Sequence, residues 1–80
     1  MLTEDLFLPS EGSWLGIPPL DTDTIIYNGS DKECLIRFGA SSNSYGMILK
    51  PEQVTIVDEI VYIRIRRPSG GQSGTIRVTR

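Results

Sequence analysis

Along most of the chain, apolar and polar side chains alternate one by one in short runs, with Gly, Pro, Asn, Asp and Ser between them. A period of two predicts strands, because successive side chains point to opposite faces. The clearest run is "EIVYIRIRR": Val61, Ile63 and Ile65 fall on one face, Tyr62, Arg64 and Arg66 on the other. "KECLIRF" sets Cys34, Ile36 and Phe38 against Leu35 and Arg37, and "TIRVTR" sets Ile76 and Val78 against Thr75, Arg77 and Thr79. "TDTIIY", "YGMIL" and "VTIVD" complete a set of about six short strands at roughly ten-residue spacing, the spacing of an all-β fold. No window has apolar residues at helical spacing with a cap before and a glycine after. The expected fold is all-β, a small antiparallel β-sandwich or barrel.

The turns carry their own predictions. Asn28-Gly29 is a hairpin signal, since both residues accept positive φ. Pro51 in "KPEQ" suits the second position of a type I turn. "GASSNS" and "PSGGQSG" read as polar, glycine-bearing loops.

Residues 1–20 break the pattern. Leu6, Phe7, Leu8, Trp14, Leu15, Ile17 and Leu20 are interleaved with three prolines and two glycines, so the stretch wants burial yet cannot continue a helix or a central strand. An extended N-terminal arm over 1–20, ahead of a single β domain over 21–80, is the expected organisation. Leu6, Phe7, Leu8, Trp14, Leu15 and Ile17 are candidate partner-interface residues, because apolar segments of this kind gain burial by lying across a neighbour. Folding back over the chain's own β body is the alternative.

Size sharpens the expectation of association. A domain of 80 residues buries a smaller fraction of its surface than a larger one and commonly needs a disulfide, a metal or a partner. Cys34 is the only cysteine and histidine is absent, so no intrachain bridge forms and no metal or cofactor is expected. Cys34 reads as a small core hydrophobe. The net charge of −2 hides a gradient: charged residues up to Asp31 are all acidic, and from Ile60 onward all basic. Such asymmetry suits an acidic arm packing on a basic surface, of a neighbouring copy for example, or a basic face meeting nucleic acid.

Candidate chemistry is sparse. Asp21 with Asp23, and Asp58 with Glu59, are carboxylate pairs without the further oxygens a calcium loop supplies. Ser41, Ser42 and Ser44 have no histidine to activate them. "SGGQSG" lacks the lysine of a phosphate loop. An enzyme is not expected. Tyr62, Arg64 and Arg66, joined by Arg77 if the last two strands form a hairpin, make a possible basic interface of the kind that grips single-stranded nucleic acid on β-barrels. The overall acidic charge weighs against that use. "MLTEDLFLPSEG" has no basic start or apolar core, so no signal peptide is expected, and no run is long enough to span a bilayer. A soluble protein made in a cytoplasm is the expectation, without a membrane partner.

The order of motifs in "TIIYNGSDKECLIRFGASSNSYGMILKPEQVTIVD" resembles that of small β-rich structural proteins of tailed bacteriophages: an Asn-Gly turn, a strand ending in Arg-Phe-Gly, a Ser/Ala-rich loop, an apolar run and a Pro turn. The likeness covers about half the chain and involves Tyr27, Asn28, Gly29, Arg37, Phe38, Gly39, Leu49 and Pro51, all scaffold residues. It implies a virion structural protein, foremost a capsid decoration or cement protein that forms homo-oligomers, trimers above all, and binds the major capsid protein. A tail, neck or fibre component is the variant within the class. A single-stranded nucleic-acid-binding β-barrel is the alternative outside it.

Overall fold

The computed structural model describes residues 2–20, 23–39, 46–67 and 74–80. The fold is all-β, as expected, with no helix among the described residues. Its strands are β1 (Thr3–Leu8), β2 (Leu15–Ile17), β3 (Thr24–Asn28), β4 (Cys34–Phe38), β5 (Met47–Leu49), β6 (Val54–Val57), β7 (Val61–Ile65) and β8 (Gly74–Thr79). They form two four-stranded sheets, ordered β1-β8-β3-β6 and β2-β7-β4-β5, and every pairing is antiparallel. The pairs β1·β8, β2·β7, β3·β6 and β4·β5 are nested, the arrangement made when one long hairpin folds over itself. That strand order is a jelly roll.

Eight strands replace the expected six because the first twenty residues supply two. The segment is extended, but it lies within the sheets instead of apart from them. β1 pairs along its length with β8, which puts Leu8 opposite Gly74 and Leu6 opposite Ile76. Pro9 ends the strand, having no N–H to give, and the chain turns through Gly12 at φ 88° before re-entering the other sheet as β2. The charge gradient is spent inside the molecule. Asp5 pairs with Arg77 at 3.0 Å and Glu4 with Arg80 at 2.8 Å, so the basic surface that the acidic segment meets is its own last strand. Arg80 also donates to the Pro18 carbonyl at 2.6 Å, tying the end of β8 to the chain leaving β2.

The core lies between the sheets. Leu8, Ile26, Val57, Ile76 and Val78 meet Ile17, Cys34, Ile36, Leu49, Val61, Ile63 and Ile65. In β4, β7 and β8 the inward set is the one the alternation indicated. Burying a side chain of this size contributes about 1.5–3 kcal/mol. Cys34 is fully buried, and desolvation lifts its thiol to about 11, against a smaller lowering by the Ser30 hydroxyl.

Asn28 departs from its expectation. β3 and β4 belong to different sheets, so no hairpin closes at Asn28-Gly29, and Gly29 does not take positive φ. The Asn28 amide is instead buried where the chain crosses between sheets. Its Nδ2 donates to the carbonyls of Lys32 (2.8 Å) and Leu49 (3.0 Å), and its Oδ1 accepts from the Ser30 amide (3.0 Å) and hydroxyl (2.7 Å). Its main chain bonds Gln53 and Glu52 in the turn ahead of β6. The Lys50–Gln53 turn is closed by Gln53 N–H to Lys50 O at 3.1 Å, but Glu52 sits at φ 65°, which makes it type II in kind and not type I.

Candidate interaction surface

The outward residues of the second sheet converge. Register places Gly16, Tyr62 and Arg37 in one row across β2, β7 and β4, and Arg64, Leu35 and Ile48 in the next across β7, β4 and β5. Trp14, just ahead of β2, reaches over this face. The Arg37 guanidinium lies 4.7 Å from the Trp14 ring centre and 4.8 Å from that of Tyr62, held between the two rings. Arg64 stands over Trp14 at 5.3 Å. Each contact of this kind contributes on the order of 0.5–1 kcal/mol where partly exposed. Together they fix long side chains that would otherwise wander. Gly16 makes room for the stack: a Cβ there would sit 3.2 Å from Tyr62 Cε1.

Beside the stack, Leu35 floors a cleft of about 600 Å³ that Met47, Ile48, Arg64 and Arg66 complete. Arg66 is half-buried and pairs with Glu33 at 2.7 Å. The face therefore carries Arg37, Arg64 and Arg66, the last paired with Glu33. It offers π-faces, guanidinium groups and an apolar floor.

The residues singled out from sequence are redistributed. Tyr62, Arg64 and Arg66 share this face, but Arg77 does not join them, because β7 and β8 lie in different sheets; it sits on the opposite outer face beside Asp5, which raises its pKa by hydrogen bonding and charge. Of the six arm residues, Leu8 and Ile17 lie in the core, and Leu6 and Leu15 pack half-buried against it. Phe7 is 76% exposed on the outside of the first sheet. Trp14 alone joins the arginines. Arg37 was legible only as an outward strand position, since nothing in the spacing shows that Trp14 folds over it. Asp58 and Glu59 are exposed, and no group of ligating side chains fit for a metal occurs among the described residues. Asp21, Ser41, Ser42, Ser44 and the glycine-rich loop fall outside the described residues.

Compared with protein-family models, curated proteins and solved structures, the chain matches none of them. The jelly-roll assignment rests on strand order and register, and the functional reading on the surface itself.

Proposed function

We propose that the chain is a structural protein of a tailed-phage virion, a decoration or cement protein that docks on the major capsid protein through the outer face of its second sheet. The observation that carries this reading is the Arg37 guanidinium held between Trp14 and Tyr62, with Arg64 and the Leu35 cleft alongside. Trp, Tyr and Arg are the residue types that dominate interface energetics, and here they are fixed before any partner arrives, which lowers the ordering cost of binding. Jelly rolls include viral capsid domains but also lectins and cupins, so the fold supports the reading without choosing it. A ligand that binds the assembled lattice and not its separated subunits stabilises the shell by mass action. Self-association into a trimer would multiply each contact.

A second reading, single-stranded nucleic acid, draws on the same aromatic and guanidinium groups. Arg37 already covers one face of both Trp14 and Tyr62, leaving less ring for bases to stack on. Sedimentation of the full chain with capsid shells lacking it tests the first reading. Binding should fall by about tenfold or more in Trp14→Ala, a loss of the size hot-spot truncations give. A chain that ignores shells but is retained on single-stranded DNA at moderate salt would replace the proposal.

A further inference from the structure

The first sheet ends in a different kind of surface. Its edge strand β6 turns Val54 and Ile56 outward, 59% and 64% exposed, and beside them on β3 stand Tyr27 opposite Val54 and Ile25 opposite Ile56. Among the described residues no strand pairs with the far side of β6, so the backbone there is open at the same residues. The Asn28 amide donates to the Gln53 carbonyl at 2.9 Å, and alternation along an antiparallel ladder then turns the main chain of Thr55 toward β3 and that of Val54 and Ile56 away from it. The sheet's other edge strand, β1, is guarded by Glu4 and Asp5, whereas β6 has no charge within it. An open, β-branched, uncharged edge is a template for another strand.

Charge at its borders selects the occupant. Glu52 precedes β6 and Asp58 and Glu59 follow it, all exposed; Lys50 offsets one of them, so the borders stay net negative. Two copies joined antiparallel along β6 would bring Glu52 of each beside Asp58 and Glu59 of the other, a like-charge meeting that disfavours self-pairing. We infer that β6 accepts an extended segment of another protein, apolar at alternate positions and flanked by lysine or arginine, added as a ninth strand of the jelly roll by main-chain pairing at Val54 and Ile56. This rests on the docking role proposed above only in supplying its purpose: with one partner on each sheet, the molecule bridges two neighbours.

An NMR titration of the full chain with the peptide Lys-Thr-Val-Thr-Val-Thr-Lys, taken to millimolar concentration, tests it. Expected are shift changes confined to β6 and its neighbour β3, and slowed amide exchange at Val54 and Ile56. A peptide with Glu at both ends should bind at least about tenfold more weakly, and Ile56→Lys should remove binding of the basic peptide. Equal binding of the two peptides, no shift at all, or protection of Val54 and Ile56 in a peptide-free species of twice the mass would each overturn the inference. None of these outcomes bears on capsid docking, which is measured on shells and through the other sheet.

Discussion

The outer faces of the two sheets hold the same types of residue in opposite arrangements. On the first sheet, where β1 meets β8, charges stand opposite one another across the strands: Asp5 by Arg77, with Thr3 and Thr79 hydrogen-bonded at 3.0 Å and Glu4 reaching Arg80 at the sheet's end. On the second, arginines stack on aromatic rings. Cross-strand charge pairs fix register and hold the N-terminal segment in place. Stacked arginines lay guanidinium and aromatic surface side by side on the outside of the second sheet. The same residue type therefore fixes register on one face and stacks on aromatic rings on the other.

The contrast breaks most readily at the N-terminal segment. Leu8→Ala should lower stability by about 2–5 kcal/mol, as a large-to-small change in a sealed core, while Phe7→Ala, one residue away and outward, should stay within about 0.5 kcal/mol. Urea unfolding followed by Trp14 fluorescence reads both. Removing residues 1–16 takes away β1 and Leu8 together, so circular dichroism of that truncation should show an unfolded chain and not a trimmed sandwich. Similar stabilities for the two point variants would return the segment to the status of a detachable arm.

Next in size is the joint between the sheets. Asn28→Ala removes the side-chain donor to the buried Leu49 carbonyl, one of the donors to that of Lys32, and the acceptor of the Ser30 amide and hydroxyl, and should cost about 1–3 kcal/mol by the same assay. Asn28→Asp should not rescue it, since a carboxylate cannot donate to either carbonyl.

A pH titration sharpens the comparison inside the second sheet. Cys34 holds its proton in the folded state to about 11 but loses it at 9.0 when unfolded. Between those values the folded state binds more protons, so stability falls as pH rises through this window and is fully present below it. The loss totals on the order of 2–3 kcal/mol. Cys34→Val should flatten that part of the profile. Thiol reagents should modify Cys34 only on unfolding.

The smallest expected effect is a gain. Glu52 holds a left-handed conformation that side chains with a Cβ adopt at a cost, so Glu52→Gly should raise stability by about 0.5–1 kcal/mol in thermal unfolding.

Much of this was legible in the chain. Alternation assigned the inward and outward residues of β4, β7 and β8 correctly, because burial on one face enforces period two wherever a sheet is covered on one side. Partner strands were not legible. Asn28-Gly29 carries the local chemistry of a hairpin, yet long-range pairing sends β3 to β6 and β8, and the asparagine's side chain serves the crossing instead. The broken pattern of residues 3–17 concealed two edge strands, since edge pairing tolerates nearby prolines that a central strand excludes. Three residues of the candidate surface, Tyr62, Arg64 and Arg66, followed from periodicity as one group. Trp14 over Arg37 did not, because that contact joins residues far apart in sequence through a bend that periodicity does not encode.

Charge reversal on each outer face, read in one assay, decides between a recognising face and a merely decorated one. Full-length Arg64→Glu and Arg77→Glu are compared with the unaltered chain for saturation binding to capsid shells, with folding checked by circular dichroism. Arg64→Glu should weaken binding by about tenfold or more and Arg77→Glu should leave it within about twofold. Equal effects, or loss confined to Arg77→Glu, would contradict docking through the second sheet.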